Sequence, residues 1–101
     1  MSLNINKEIG EEIKVALEGR LDTTSSPDLE AELDELVLQK KPMVLDLTGL
    51  DYISSAGLRV LLKTQKAVNA NESSMKLTNV SDIIMEIFDI TGFSDILTIE
   101  K

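Results

Sequence analysis

The chain has 101 residues, 43% of them apolar, and a net charge of −8 from 18 acidic and 10 basic residues. That length fits one domain, residues 1–101, and the acidity argues against nucleic acid, which demands a basic footprint, and against anionic membrane surfaces. With no cysteine and no histidine, disulfides, thiolate nucleophiles, Cys/His metal centres and a Ser-His-Asp triad are excluded.

No apolar run approaches a membrane span and no signal-peptide pattern opens the chain, so a cytoplasmic location is expected. No cofactor is expected either. The acidity points to a partner with a basic face, and a monomer or weak dimer is expected. With only Tyr52, Phe88 and Phe93 as aromatics, the core must be aliphatic.

In chain order, Leu3, Ile5 and Ile9 fall among polar residues in the manner of a half-buried strand. Glu8–Glu12, with Gly10 inside, reads as a hairpin turn. Ile13, Val15 and Leu17 alternate as a second strand, in which Gly19 marks a bulge or a close backbone approach and which Leu21 closes. Asp22–Ser26 is a polar connection. Ser26 followed by Pro27 reads as an N-cap and a first helical residue. Asp28 and Glu30 suit the positive end of the helix dipole, and Leu29, Leu33, Leu36 and Val37 form its apolar stripe. Lys40 and Lys41 are expected to end that helix before Pro42.

Behind Pro42 the stretch from Met43 opens with a short apolar run, long enough for a buried strand. The chain is then expected to turn polar around Gly49. It resumes as a helix whose stripe is Leu58, Leu61, Leu62, Gln65 and Val68. At the junction stand Ser54 and Ser55, then Ala56 and Gly57. A serine here caps the helix, because its oxygen accepts from a free first-turn N–H. Gly57 in the first turn costs roughly 1 kcal/mol relative to Ala, so it marks a place where a neighbouring loop or a docking partner needs room. Tyr52 and Ile53 are placed to anchor the loop.

Met75 and Leu77 belong to a fourth strand. Ser81 and Asp82 open a third helix with the stripe Ile83, Ile84, Ile87 and Phe88, and Gly92 caps its end. Ile96, Leu97 and Ile99 read as a short last strand or a tail. The order β-β-α-β-α-β-α plus a terminal strand implies an α/β fold: a mixed sheet with an N-terminal antiparallel hairpin, parallel strands and flanking helices. Both polar junctions, Asp22–Ser26 and Thr48–Ser55, are expected at the edge where such folds place their sites.

Catalysis finds little support. A serine nucleophile needs a base, and Lys63 and Lys66 lie two to three turns beyond Ser55 at ~1.5 Å per residue. No phosphate-binding motif is present. Asp46 faces either the loop edge or solvent, and Asp22 serves as a turn residue or a functional one. Arg59 and Lys63 fall on the exposed side of the second helix. A phosphoryl group on Ser55, by contrast, would be tolerated by the helix dipole while adding ~−1.5 to −2 charge to a patch expected to be acidic already.

Gly19-Arg20-Leu21-Asp22 and Leu45-Asp46-Leu47-Thr48-Gly49-Leu50-Asp51-Tyr52-Ile53-Ser54-Ser55-Ala56-Gly57-Leu58 resemble the two signature stretches of STAS domains. The nearest likeness is to single-domain bacterial anti-sigma factor antagonists, and it spans essentially the whole chain. The resemblance implies a partner-switching module and not an enzyme. Such a module binds an anti-sigma factor that is also a serine kinase, is released when the kinase phosphorylates it, and is restored by a metal-dependent serine phosphatase. By motif position the acceptor corresponds to Ser55. Many members carry an acidic residue just before it; this chain has Ser54, which stands as the alternative acceptor. Asp22 matches the acidic residue beside the phosphosite, and the implied partner surface comprises Asp22, Thr23, Ser54, Ser55, Ala56, Gly57 and Arg59. The other reading from the same family is a constitutive subunit of a larger complex, such as a lipid-transport or stressosome-like assembly.

Overall fold

The computed structural model describes residues 3–100. Five strands form one sheet in sequence order: β1 (Leu3–Ile9), β2 (Ile13–Leu21), β3 (Met43–Ile53), β4 (Met75–Thr78) and β5 (Ile99–Glu100). β1 and β2 pair antiparallel, with Ile5 opposite Leu17, and the remaining pairs are parallel. The helices are α1 (Ser26–Val37), α2 (Ser55–Ala70) and α3 (Asp82–Thr91), followed by a 3-10 turn at Phe93–Asp95. Each crossover from β2 onward steps the same way. Right-handed connections of that kind lay all three helices on one face. The side chains agree: Ile13, Val15, Leu17, Met43, Leu45, Leu47, Met75 and Leu77 are buried, while Lys14, Ala16, Val44, Asp46 and Lys76 between them are exposed or half-buried. The mixed α/β sheet expected from the sequence is present, with its second face open.

The core is aliphatic apart from Phe88, which is fully buried. Each Leu, Ile or Val removed from water in it contributes ~1.5–3 kcal/mol before conformational entropy is counted.

Four local expectations are corrected. β3 does not end before Gly49. It runs to Ile53, because β2 lies beside it throughout, with Glu18 opposite Gly49 and Leu21 opposite Ile53. The pairing absorbs two register shifts, between Ala16 and Glu18 and between Gly19 and Arg20, where Gly19 has φ 104°. The start of α1 also differs. Ser26 is its first helical residue and donates its hydroxyl to the Asp22 carbonyl, and Ser25 stands at the cap without a side-chain capping bond. At its other end α1 stops at Val37; Lys40 lies beyond it at φ 55°, and Lys41 Nζ donates to the Gly10 carbonyl at 2.8 Å. In α3, Ile84 and Phe88 are fully buried and Ile87 packs against them in part, but Ile83 is 68% exposed. Ile83 sits one residue, or about 100°, round the helix from Ile84, which turns it off the core side.

Two other readings of α3 hold. Ser81 Oγ accepts from Ile84 N at 3.3 Å, and Gly92 closes the helix in the left-handed region at φ 81°.

Candidate functional site

β2 and β3 are parallel neighbours, so the connections leaving their C-terminal ends emerge side by side. Ser54 N donates to the Leu21 carbonyl at 2.8 Å and stitches the two junctions together. Asp22, Thr23, Ser54, Ser55, Ala56 and Gly57 thus lie in adjacent segments at one sheet edge, and Arg59 follows one turn into α2.

In the first segment Asp22 organises its own turn. Its Oδ1 accepts from Thr24 N and Ser25 N, both at 3.0 Å. The buried Ser25 hydroxyl accepts from Asp22 N at 2.9 Å and lies 2.7 Å from the Arg20 carbonyl. The backbone N–H of Ser25 is the chief reason the Asp22 carboxyl is held below the usual carboxylate range. Arg20 approaches the same carboxylate at 3.9 Å and lies 4.2 Å over the Tyr52 ring. Ile53 anchors the junction by burial, whereas Tyr52 stays exposed and meets Arg20 at the surface.

In the second segment the two serines do different things. Ser54 is extended (φ −95°, ψ 173°), and its Oγ accepts from Gly57 N at 3.3 Å as the N-cap of α2. Ser55 is the first helical residue. It is exposed, and its hydroxyl has no hydrogen bond within the described residues. Gly57 faces inward against Leu21, where a Cβ would lie 2.6 Å from Leu21 Cγ. The neighbour that needs room at Gly57 is therefore the end of β2.

Beside the serines a groove of about 600 Å³ runs between α1 and α2. Thr23, Pro27, Ala56, Arg59, Val60 and Lys66 line it. Lys63 Nζ crosses it to Glu30 Oε2 at 3.0 Å and Asp34 Oδ2 at 3.3 Å. Those contacts, with Glu30 first, raise the Lys63 pKa. Lys63 is thus exposed, as expected, but it also ties the two helices together. The patch beside Ser55, expected to be acidic, carries cations on its α2 side. Every charged residue of α2 is basic, namely Arg59, Lys63 and Lys66.

Asp46 lies apart, on the open sheet face. Its carboxylate accepts from the Thr48 hydroxyl at 2.6 Å, Thr48 N at 3.0 Å and Asn79 Nδ2 at 3.1 Å. Phe93, after Gly92, packs partly against the core. Among the described residues no helix is long and apolar enough to cross a membrane.

A one-sided mixed sheet whose exposed serine opens the helix after its long parallel strand defines the class. The chain belongs to the STAS domain family, whose model matches residues 3–101. It is 35% identical over 100 residues to the anti-sigma-B factor antagonist of Bacillus subtilis strain 168, covering 98% of this chain and 92% of that protein. Its fold matches that of an anti-sigma factor antagonist from Mycobacterium paratuberculosis with a TM-score of 0.88 at 21% identity, over 97% of this chain and 85% of that one. It also matches that of the Bacillus cell fate determinant SpoIIAA in the phosphorylated form, with a TM-score of 0.74 at 17% identity, over 99% and 92% of the two chains.

Proposed function

We propose that this chain is an anti-sigma factor antagonist that works by partner switching. It binds an anti-sigma factor that is also a serine kinase, and phosphorylation of Ser55 releases it. The observation that carries the choice of residue is the division of labour at the α2 N-terminus: Ser54 Oγ is engaged by Gly57 N, while the Ser55 hydroxyl is exposed and without a hydrogen bond among the described residues. The relative named above supports the role.

In the modification, Ser55 Oγ attacks the γ-phosphorus of ATP, ADP leaves, and the hydroxyl proton passes to a base on the kinase. The chain is the substrate and not the catalyst. The product carries ~−1.5 to −2 charge beside first-turn N–H groups, where the helix dipole favours it, so the fold need not open. A metal-dependent serine phosphatase then hydrolyses the phosphoester, returning the hydroxyl and inorganic phosphate. This cycle belongs in the cytoplasm, where the sigma factor acts.

Calorimetric titration with the anti-sigma factor kinase of the same genome tests the reading. Wild type and Ser55→Ala should bind alike, and Ser55→Asp should lose binding. Undiminished binding by Ser55→Asp would overturn it.

A further inference from the structure

Arg59 stands four residues after Ser55 on α2, and side chains at that spacing are surface neighbours, with Cβ atoms ~5–6 Å apart. An acidic group placed N-terminal to a basic one is the favoured order, because it also follows the helix dipole. Arg59 is exposed and has no ion pair among the described residues. The other cations nearby are committed or distant. Lys63 is held by Glu30 and Asp34, and Arg20 lies on Tyr52 beside Asp22. Lys66 is about three turns along the helix from Ser55, ~16 Å at 1.5 Å per residue. Arg59 also lines the groove, whose floor includes the apolar surfaces of Pro27, Ala56, Val60 and Leu62.

We propose that Arg59 is a shared cation: it receives a carboxylate of the docking partner while Ser55 is free, and it receives the phosphate once Ser55 is modified. The proposal rests on the reading of Ser55 as the phosphorylated residue. The partner segment that fits is an apolar anchor with an acidic side chain next to it. The net charge of −8 by itself favours a basic partner, but the charged residues of α2 are all cations, so the local field at the groove and not the whole-chain charge selects an acidic side chain here. Its planar fork suits carboxylate and phosphate equally. On the modified chain the phosphate is tethered one turn away, so its effective concentration exceeds that of any carboxylate arriving from solution. Phosphorylation then withdraws a contact as well as adding repulsion.

The test needs no kinase in its first arm. Phosphoserine is inserted at position 55 during translation, and the phosphate is titrated by phosphorus NMR in the wild-type background and in Arg59→Gln. A phosphate paired with Arg59 titrates below its ordinary value of ~6, and Arg59→Gln raises it by about half a unit or more. Superimposable curves would overturn the pairing and leave Ser55 as the acceptor. In the second arm, unmodified Arg59→Gln, Arg59→Lys and Lys14→Gln chains are titrated with the anti-sigma factor kinase. Arg59→Gln should bind about tenfold or more weakly, as expected for a lost charge-assisted hydrogen bond. Arg59→Lys should recover part of that loss, and Lys14→Gln, on the open sheet face, should bind as wild type. Full binding by Arg59→Gln would overturn the partner carboxylate. A chain never phosphorylated in its own cells would instead sink the reading of Ser55, whatever the phosphorus titration shows.

Discussion

Leu21 occupies the space that a side chain at Gly57 would need: an ideal Cβ there lies 2.6 Å from Leu21 Cγ, 2.9 Å from Leu21 Cδ2 and 3.0 Å from Ile53 Cγ1. In an open helix, Gly→Ala gains about 1 kcal/mol of helix propensity. Here the overlap with two buried side chains reverses the sign, and Gly57→Ala should lose ~1–3 kcal/mol, as overpacked cores do. Urea denaturation measures it. Leu21→Ala opens the same space, so the double variant should be less destabilised than the sum of the two single ones. A stabilised Gly57→Ala would remove the packing explanation.

The neighbouring serines separate capping from modification. Ser54→Ala deprives Gly57 N of its acceptor and should cost ~1 kcal/mol of stability. Ser55→Ala changes an exposed hydroxyl and should stay within about 0.5 kcal/mol of wild type. Phosphate uptake should show the opposite pattern, kept by Ser54→Ala and abolished by Ser55→Ala in intact-mass measurements. Uptake lost only in Ser54→Ala would move the acceptor by one residue.

Elements with local causes were legible in the sequence. Period-two alternation marked β2, and Ser81 and Gly92 marked the ends of α3, because caps and turns act within a few residues. The Ser54–Gly57 junction was legible for the same reason. The second half of β3 was not. Gly49 and Asp51 are turn-forming residues, and their segment is held extended only by β2 through a pairing with two register shifts. The groove was hidden too, since it depends on Lys63 meeting Glu30 and Asp34, which lie 33 and 29 residues away. The cationic character of α2 was masked by the net charge of the whole chain.

Ile83 and Ile84 are adjacent in sequence and opposite in environment, 68% and 0% exposed. Ile84→Ala should cost ~2–5 kcal/mol, the range for a truncated buried aliphatic side chain. Ile83→Ala should fall within about 0.5 kcal/mol of wild type. Chemical denaturation of the two variants distinguishes this arrangement from a stripe that buries both; equal losses would restore the latter.

Asp46 links the open sheet face to acid stability. The Thr48 hydroxyl first, then Asn79 and the Thr48 backbone, hold its carboxyl below the usual carboxylate range. In the unfolded chain the same group titrates near ~3.9. As pH falls through that value, the unfolded state takes up a proton before the folded state does, so stability falls with falling pH. The contribution is fully present above the unfolded pKa and is lost once pH has dropped through the folded one. Asp46→Asn keeps an acceptor oxygen but cannot titrate. Urea midpoints collected from about pH 5 down to about pH 2 should therefore fall less steeply for Asp46→Asn than for wild type. Some slope should remain in the variant, because Asp22 is depressed in the same direction. Identical slopes in the two proteins would mean that the Thr48 and Asn79 contacts do not hold the charged form of Asp46.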